Sequence, residues 1–355
     1  MIQKPGTENE YLELKAALDS YIDKAAYYYD ICGLVVSLWS PEFEYSHACG
    51  YKNVLTREKI KTDDILHMAS ITKLFVGLGI MKLEEKGLIN IEDKLIKYLP
   101  WFVMKDERYK EITIRQLLSH TSGMHDVRDY HWDKPENDVD ALERYVKSPE
   151  VANGMLKWDP KDKKFSYSNI GYEILGVVIA EVSGLSFEEY INQNIFIPLG
   201  MNNSKLLTFE REMSQICAPH YKNDKNEIIK AEIFPYSRTH GPSSTLTSNA
   251  EDMKKWAIAN LENSILKEET YQKMMEVQAL IPNNGESICL SWFKREQSGF
   301  ELYGHEGADE GFRSSFWMCP ERKMYILVNA NMTGAQVKKI SKMVFDLCLE
   351  KKVKL

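Results

Sequence analysis

Residues 67 to 81 constrain the fold more than any other stretch. They read His67-Met68-Ala69-Ser70-Ile71-Thr72-Lys73-Leu74-Phe75 and continue apolar to Met81. Leu74, Phe75, Val76, Leu78, Ile80 and Met81 make a helix that is apolar almost all round, and such a helix belongs in the middle of a core. Ser70 and Lys73 are three residues apart, so their side chains share one helix face. A serine hydroxyl is a poor nucleophile without a base beside it. A lysine amine becomes that base when desolvation lets it lose its proton near neutral pH. Ser70 at the helix start also meets the positive end of the helix dipole.

Ser-x-x-Lys recurs at Ser264/Lys267 and Ser291/Lys294, so the pair gains meaning only from the motifs that accompany it further along the chain. With 355 residues, the length suits two domains or one with an insertion. A net charge of -7 argues against nucleic acid or an anionic membrane as the main partner. No run is long and apolar enough to span a bilayer. The N-terminus, Met1 to Glu8, is polar with no signal-peptide core. Taken as the natural start, it implies a cytoplasmic protein; a secreted chain trimmed of its leader would look the same. The six cysteines form no Cys-x-x-Cys pair and no Cys/His cluster, which reads as buried free thiols in a reducing compartment.

Glu8 to Tyr29 carries helical periodicity. Gly33 to Trp39 and Phe43 to Tyr51 read as a hairpin around Pro41-Glu42. The Ser70 helix ends near Lys86-Gly87. From Leu88 to Lys230 helical patches alternate with polar, Gly/Pro-rich stretches; Asp126 to Asp140 is a surface loop or lid, and Tyr172 to Val182 an apolar helix. From Ala231 the character returns. Ser248 is expected as the N-cap of a helix with Glu251 three residues on. An antiparallel meander comes next, through Ile288–Phe293, Phe300–Gly304, Phe312–Met318 and Met324–Asn329, and a closing helix runs from Ala335 to Lys351. Strands from both chain ends can share one sheet. The expected division is therefore residues 1–87 with 231–355 as a sheet domain, and 88–230 as a mostly helical insertion.

Two further motifs complete a constellation. Tyr167-Ser168-Asn169 stands in a polar loop immediately before an apolar helix. A tyrosine there can shuttle a proton, with a nearby ammonium favouring the phenolate. His305-Glu306-Gly307-Ala308 is part of the only His-x-Gly in the chain. Its glycine lets a substrate backbone lie close, and the N–H after it can face an oxyanion.

Taken in order, Ser70-x-x-Lys73, Tyr167-x-Asn169 and His305-x-Gly307 resemble the penicillin-recognising serine hydrolase superfamily. That group takes in class C β-lactamases, low-molecular-mass DD-peptidases, D-aminopeptidases and β-lactamase-like esterases. Leu117-Leu118-Ser119-His120-Thr121-Ser122-Gly123-Met124, Pro198-Leu199-Gly200-Met201 and Ser243 to Met253 resemble it too, and the resemblance covers about residues 10 to 350. It implies an α/β (α+β) fold of the β-lactamase/transpeptidase type, in which helices flank an antiparallel sheet and a mostly helical domain is inserted. It implies Ser70 as nucleophile and Lys73 with Tyr167 as its proton partners. Asn169 would hold the substrate amide and Lys73, and the N–H groups of Ser70 and Ala308 would form the oxyanion hole. His305 takes the position where β-lactamases carry lysine. His120 and Ser122 read as structural.

Two departures stand out. Lys161 replaces the glycine that is often found after the proline upstream of the tyrosine motif. Glu306 stands where threonine or glycine is frequent, and with Asp309 and Glu310 it is expected to make an acidic rim. Such a rim disfavours a substrate carboxylate and favours a neutral ester or amide, or one with a free amine. The expected activity is acyl-enzyme hydrolysis of a small molecule or short peptide, with no metal or organic cofactor. A D-amino-acid peptidase or amidase leads a carboxylesterase and then a β-lactamase; a non-catalytic binding protein on the same fold is the rival from another class. The histidines show no ligand spacing such as His-Glu-x-x-His, which disfavours a metallohydrolase.

Overall fold

The computed structural model describes residues 8–349. The polar start before Glu8 and the expected last residues of the closing helix lie outside them. The strands in chain order are β1 (Gly33–Ser40), β2 (Phe43–Asn53), β3 (Glu58–Lys59), β4 (Leu66–His67), β5 (His220–Lys222), β6 (Ile228–Lys230) and β7 (Thr247–Ser248). They continue as β8 (Ala279–Leu280), β9 (Ser287–Ile288), β10 (Phe293–Gln297), β11 (Phe300–Asp309), β12 (Phe312–Cys319) and β13 (Met324–Ala330).

Nine of these form one sheet in the order β3-β2-β1-β13-β12-β11-β10-β9-β8. The pairings are antiparallel, with Leu34 opposite Ala330 and Glu306 opposite Ser315. The sheet thus joins residues 33–59 to residues 279–330, and the central contact between the two is β1 with β13. The meander read from the sequence is present as β9 to β13.

The two faces of the sheet carry different partners. One is covered by the helices Glu8–Tyr28 and Val337–Leu349, which set Leu18, Ile22, Ile340, Val344 and Phe345 against Leu34, Val36, Ile326 and Val328. The other packs on the helix Thr72–Glu85, with Phe75, Trp256, Trp292, Phe316 and Tyr325 in a larger core. That helix buries every residue from Thr72 to Met81, as its all-round apolar sequence requires. Gly77 lets it approach the turn at Ser291, where a Cβ would lie 2.3 Å from Ser291 Oγ. Among the described residues no single helix is long and apolar enough to cross a membrane.

Three local expectations are corrected. Ser248 is not the N-cap of the late helix: Ser248 pairs in β7 with Leu66, and Asn249 caps the helix Ala250–Leu261 by accepting from Asp252 N at 3.0 Å. The run Ile288–Phe293 is not one strand, because Ser291 takes φ 69° and breaks it between β9 and β10. Strand β11 does not stop at Gly304. It runs on to Asp309, with each residue from Tyr303 paired to β12, so His305 to Ala308 lies within a strand.

Candidate active site

Ser70 sits in a single 3-10 turn, Ala69–Ile71, that leads directly into the buried helix. Ala69 holds φ 49°, a left-handed conformation that costs a non-glycine residue roughly 1–2 kcal/mol. The surroundings hold the turn in place. Met68 N donates to Leu246 O, Ser314 Oγ donates to Met68 O, and Thr72 Oγ1 donates to Ala69 O while accepting from Leu246 N. Strand β11 passes against this turn because residue 307 is glycine. A Cβ there would lie 2.0 Å from Ser314 Oγ and 2.5 Å from Met68 O.

Lys73 and Tyr167 converge on the serine. Lys73 Nζ lies 2.9 Å from Ser70 Oγ and donates to Ser243 O at 2.7 Å. The Tyr167 hydroxyl donates to Ser70 Oγ at 3.1 Å. Burial pushes the Lys73 ammonium down to about 8, although Glu173, Asp309 and Asp126 oppose the shift. Burial raises the Tyr167 phenol well above its usual value. The resting tyrosine is therefore a neutral donor. Its ring stacks on His120 with centroids 4.3 Å apart. His120 is itself held by Ser168 N, which donates to its Nδ1 at 3.1 Å.

Asn169 opens the helix Asn169–Ser183, with Ser168 as N-cap. Its backbone N and its Nδ2 both donate to Asp126 Oδ1, at 2.7 and 3.0 Å. Among the described residues its amide makes no hydrogen bond to Lys73, contrary to expectation, because Ser243 O and Ser70 Oγ take that lysine. Asn169 instead borders the cavity over Ser70.

His305 is buried, with Nδ1 2.5 Å from Glu306 O. A carbonyl only accepts, so Nδ1 carries the proton and Nε2 keeps a lone pair. Among the described residues Nε2 is buried without a partner. Burial and the Lys73 charge push the imidazole down to about 3, so it is neutral across the working range.

The acidic rim is only partly realised. Side chains alternate along a strand, so Glu306 points to the sheet face opposite that of His305. There it accepts from Trp317 Nε1 at 2.7 Å and Ser315 Oγ at 3.1 Å, and burial raises its carboxyl above the usual range. Asp309 leaves the rim altogether: His67 Nε2, at 2.7 Å, and Ser244 Oγ hold its carboxylate.

A cavity of about 300 Å³ joins these groups. Ser70, Tyr167, Asn169, His305, Glu306 and Ala308 border it, together with Tyr130 and Glu286. A concavity of about 500 Å³ near Asn260, Tyr271 and Pro320 is larger, but no serine is paired with a base there. Of the residues expected at the site, Lys73 and Gly307 do not border this cavity; Lys73 reaches it through Ser70 Oγ, and Gly307 packs against the Ser70 turn. Three groups were missed. Asp126 fixes Asn169, Tyr130 forms part of the wall, and Glu173 accepts from Ser243 Oγ at 2.5 Å and so holds the short helix Gly241–Ser244, whose Ser243 carbonyl holds Lys73. The available signal for Glu173 was its being the one charged residue in the buried stretch from Asn169 to Ile179.

The chain resembles several known proteins in sequence and fold. Penicillin-binding protein 4* of Bacillus subtilis (strain 168) is 32% identical over 189 residues, which cover 53% of this chain and 40% of that protein. Protein flp of Staphylococcus aureus (strain N315) is 26% identical over 295 residues, covering 82% of this chain and 57% of its own. The chain thus spans about half the length of these curated relatives. The octameric penicillin-binding protein homologue from Pyrococcus abyssi superposes with a TM-score of 0.82 at 25% identity, covering 94% of this chain and 77% of that one. The D-amino acid amidase of Ochrobactrum anthropi SV3 shares the fold, with a TM-score of 0.79 at 20% identity over 94% and 96% of the two chains. A family model described as Beta-lactamase matches residues 18–342, a span that holds the Ser70 turn, the Tyr167 loop and strand β11, and the chain belongs to that family.

Proposed function

We propose that this protein is a serine hydrolase that works through an acyl-enzyme on Ser70. The observation that carries the reading is the pair of contacts at Ser70 Oγ: Lys73 Nζ at 2.9 Å and the Tyr167 hydroxyl at 3.1 Å. With its pKa near 8, Lys73 is neutral in about a tenth of molecules at pH 7. In that form it accepts the Ser70 proton as Oγ bonds to the substrate carbonyl carbon. In this reading the oxyanion rests between the N–H groups of Ser70 and Ala308, where losing one donor typically costs roughly 100- to 1000-fold in rate. Collapse breaks the bond to the leaving nitrogen or oxygen. Tyr167 gives that atom a proton and regains one from Lys73. Water, deprotonated by the neutral Lys73 amine, then cleaves the acyl ester, and the proton returns to Ser70 Oγ.

The cavity chemistry favours a substrate without a carboxylate beside the scissile bond. His305 is neutral and offers a lone pair, so it accepts from an N–H and supplies no positive charge to an anion. Glu306 and Glu286 border the same cavity. A small amide, short peptide or ester, neutral or carrying an amine, fits these walls better than a β-lactam or a C-terminal carboxylate. Fold neighbours named a D-amino acid amidase and a D-stereospecific amidohydrolase suggest the first compounds to test. A panel of D- and L-amino-acid amides, neutral esters and a chromogenic β-lactam tests the reading. The expected order in kcat/KM is amides and esters above the β-lactam, and a β-lactam turned over fastest would refute it.

A further inference from the structure

The sheet face turned away from Ser70 carries a second cluster of reactive side chains. The helix Glu8–Tyr28 presents Asp19 and Asp23, four residues apart and so on one face. Strand β2 presents Tyr45, His47 and Cys49, alternate residues and so also on one face. Phe43 and Tyr45 of the same strand pack against Leu18 and Ile22 of the helix, which brings the two faces together. His47 Nε2 lies 2.8 Å from Asp23 Oδ1, and His47 Nδ1 lies 3.3 Å from Asp19 Oδ1. The ligand atoms of Asp23, His47 and Cys49 all fall within 4.8 Å of one another. Five of the six cysteines are buried; Cys49 is the one that is only half-buried.

We propose that Asp23, His47 and Cys49 bind a zinc ion, and that Asp19 positions the imidazole. A thiolate, an imidazole and a carboxylate form a mixed set that suits zinc, whereas calcium and magnesium take oxygen ligands. Zinc–ligand bonds of about 2.0–2.3 Å place the corners of a tetrahedron roughly 3.3–3.8 Å apart. Side-chain rotation closes the present spacing to that range. The metal takes His47 Nε2, so Nδ1 keeps its proton and donates to Asp19. The Tyr45 hydroxyl donates to the same Asp19 Oδ1 at 2.7 Å. A carboxylate behind the ligating histidine fixes its tautomer and orientation in zinc sites. The Cys49 thiol proton leaves to solvent as sulfur binds the metal, and the fourth position is left for water. Sequence spacing does not show this site, because Asp23 and His47 stand 24 residues apart on two elements.

Bound metal would clamp the helix Glu8–Tyr28 to β2 and stabilise the folded state by mass action. It would leave Ser70 untouched, since that site lies on the other face of the sheet. The test uses the reduced, chelator-treated full chain titrated with Co2+ and then with Zn2+. The expected result is a tetrahedral visible band with a sulfur-to-cobalt charge-transfer band, displaced by one equivalent of Zn2+, and a Tm higher with zinc than without. His47→Ala and Cys49→Ser should lose both signals while fluorophosphonate still labels Ser70. Asp19→Asn should keep the band, with affinity reduced about 10- to 100-fold. No charge-transfer band on the folded wild type, or an equal band on Cys49→Ser, would overturn the proposal. Should Cys49→Ser fail to fold, Asp23→Ala on the exposed side of the helix carries the same comparison.

Discussion

Lys73 Nζ stands 2.9 Å from Ser70 Oγ inside a helix whose surroundings exclude water from the amine. The same burial that weakens its hold on a proton makes it a base at neutral pH. The active form is the neutral amine, which gains population as pH rises. The kcat/KM should therefore climb about tenfold per pH unit below pH 7 and level off above about 8. Lys73→Arg keeps the positive charge at every pH and should lose roughly 100- to 10,000-fold without recovering in alkali. A pH–rate profile of both proteins checks this, and a flat wild-type profile from pH 6 to 9 would count against Lys73 as the base.

Tyr167 donates to Ser70 Oγ as a neutral phenol, and its remaining use is to protonate the leaving group. Tyr167→Phe should slow amide cleavage by roughly 100- to 10,000-fold. Activated esters, whose leaving groups depart unprotonated, should slow much less. Equal losses on both substrates would assign the hydroxyl a role in orienting Ser70 alone.

Gly307 holds β11 against the Ser70 turn. Gly307→Ala places a Cβ 2.5 Å from Met68 O and 2.0 Å from Ser314 Oγ. The backbone has to move, so kcat should fall by about 100-fold, as for displacements near 1 Å, and stability by about 1–3 kcal/mol. Adding Ser314→Ala removes the side-chain clash but not the one with Met68 O, so activity should stay low. Rates and denaturant unfolding of the two variants check this.

Glu306 borders the cavity from the far face of β11, with its carboxylate on Trp317 and Ser315. Glu306→Gln keeps the shape and removes the charge. Relative kcat/KM for anionic over amine-bearing acyl donors should rise roughly tenfold, about 1.4 kcal/mol of discrimination. An unchanged ratio would mean that Trp317 and Ser315 keep the carboxylate from facing substrate.

The features legible in the sequence were the local ones. Ser70 and Lys73 sit one helical turn apart, so their meeting comes from helix geometry alone. The strands of the meander carry their own periodicity. The features that stayed hidden depend on distant partners. Asp126 reaches Asn169 across 43 residues, and the Ser243 carbonyl reaches Lys73 across 170. Ser248 looked like a cap until its pairing with Leu66 drew it into β7, which left the cap to Asn249. Read from the sequence, the strand ends at Gly304, just before His305. Pairing to β12 carries the chain straight on, and the turn falls at Glu310-Gly311. That Glu306 and His305 point to opposite faces follows once the segment is a strand, and the strand is made by its pairing to β12, a partner distant from the motif.

The measurement that bears most directly on the active site is intact mass after exposure to a fluorophosphonate probe, with wild type and Ser70→Ala side by side. An activated Ser70 gives a single adduct on the wild type and none on the variant. An unlabelled, folded wild type, or equal labelling of both proteins, would mean that the groups around Ser70 do not activate it.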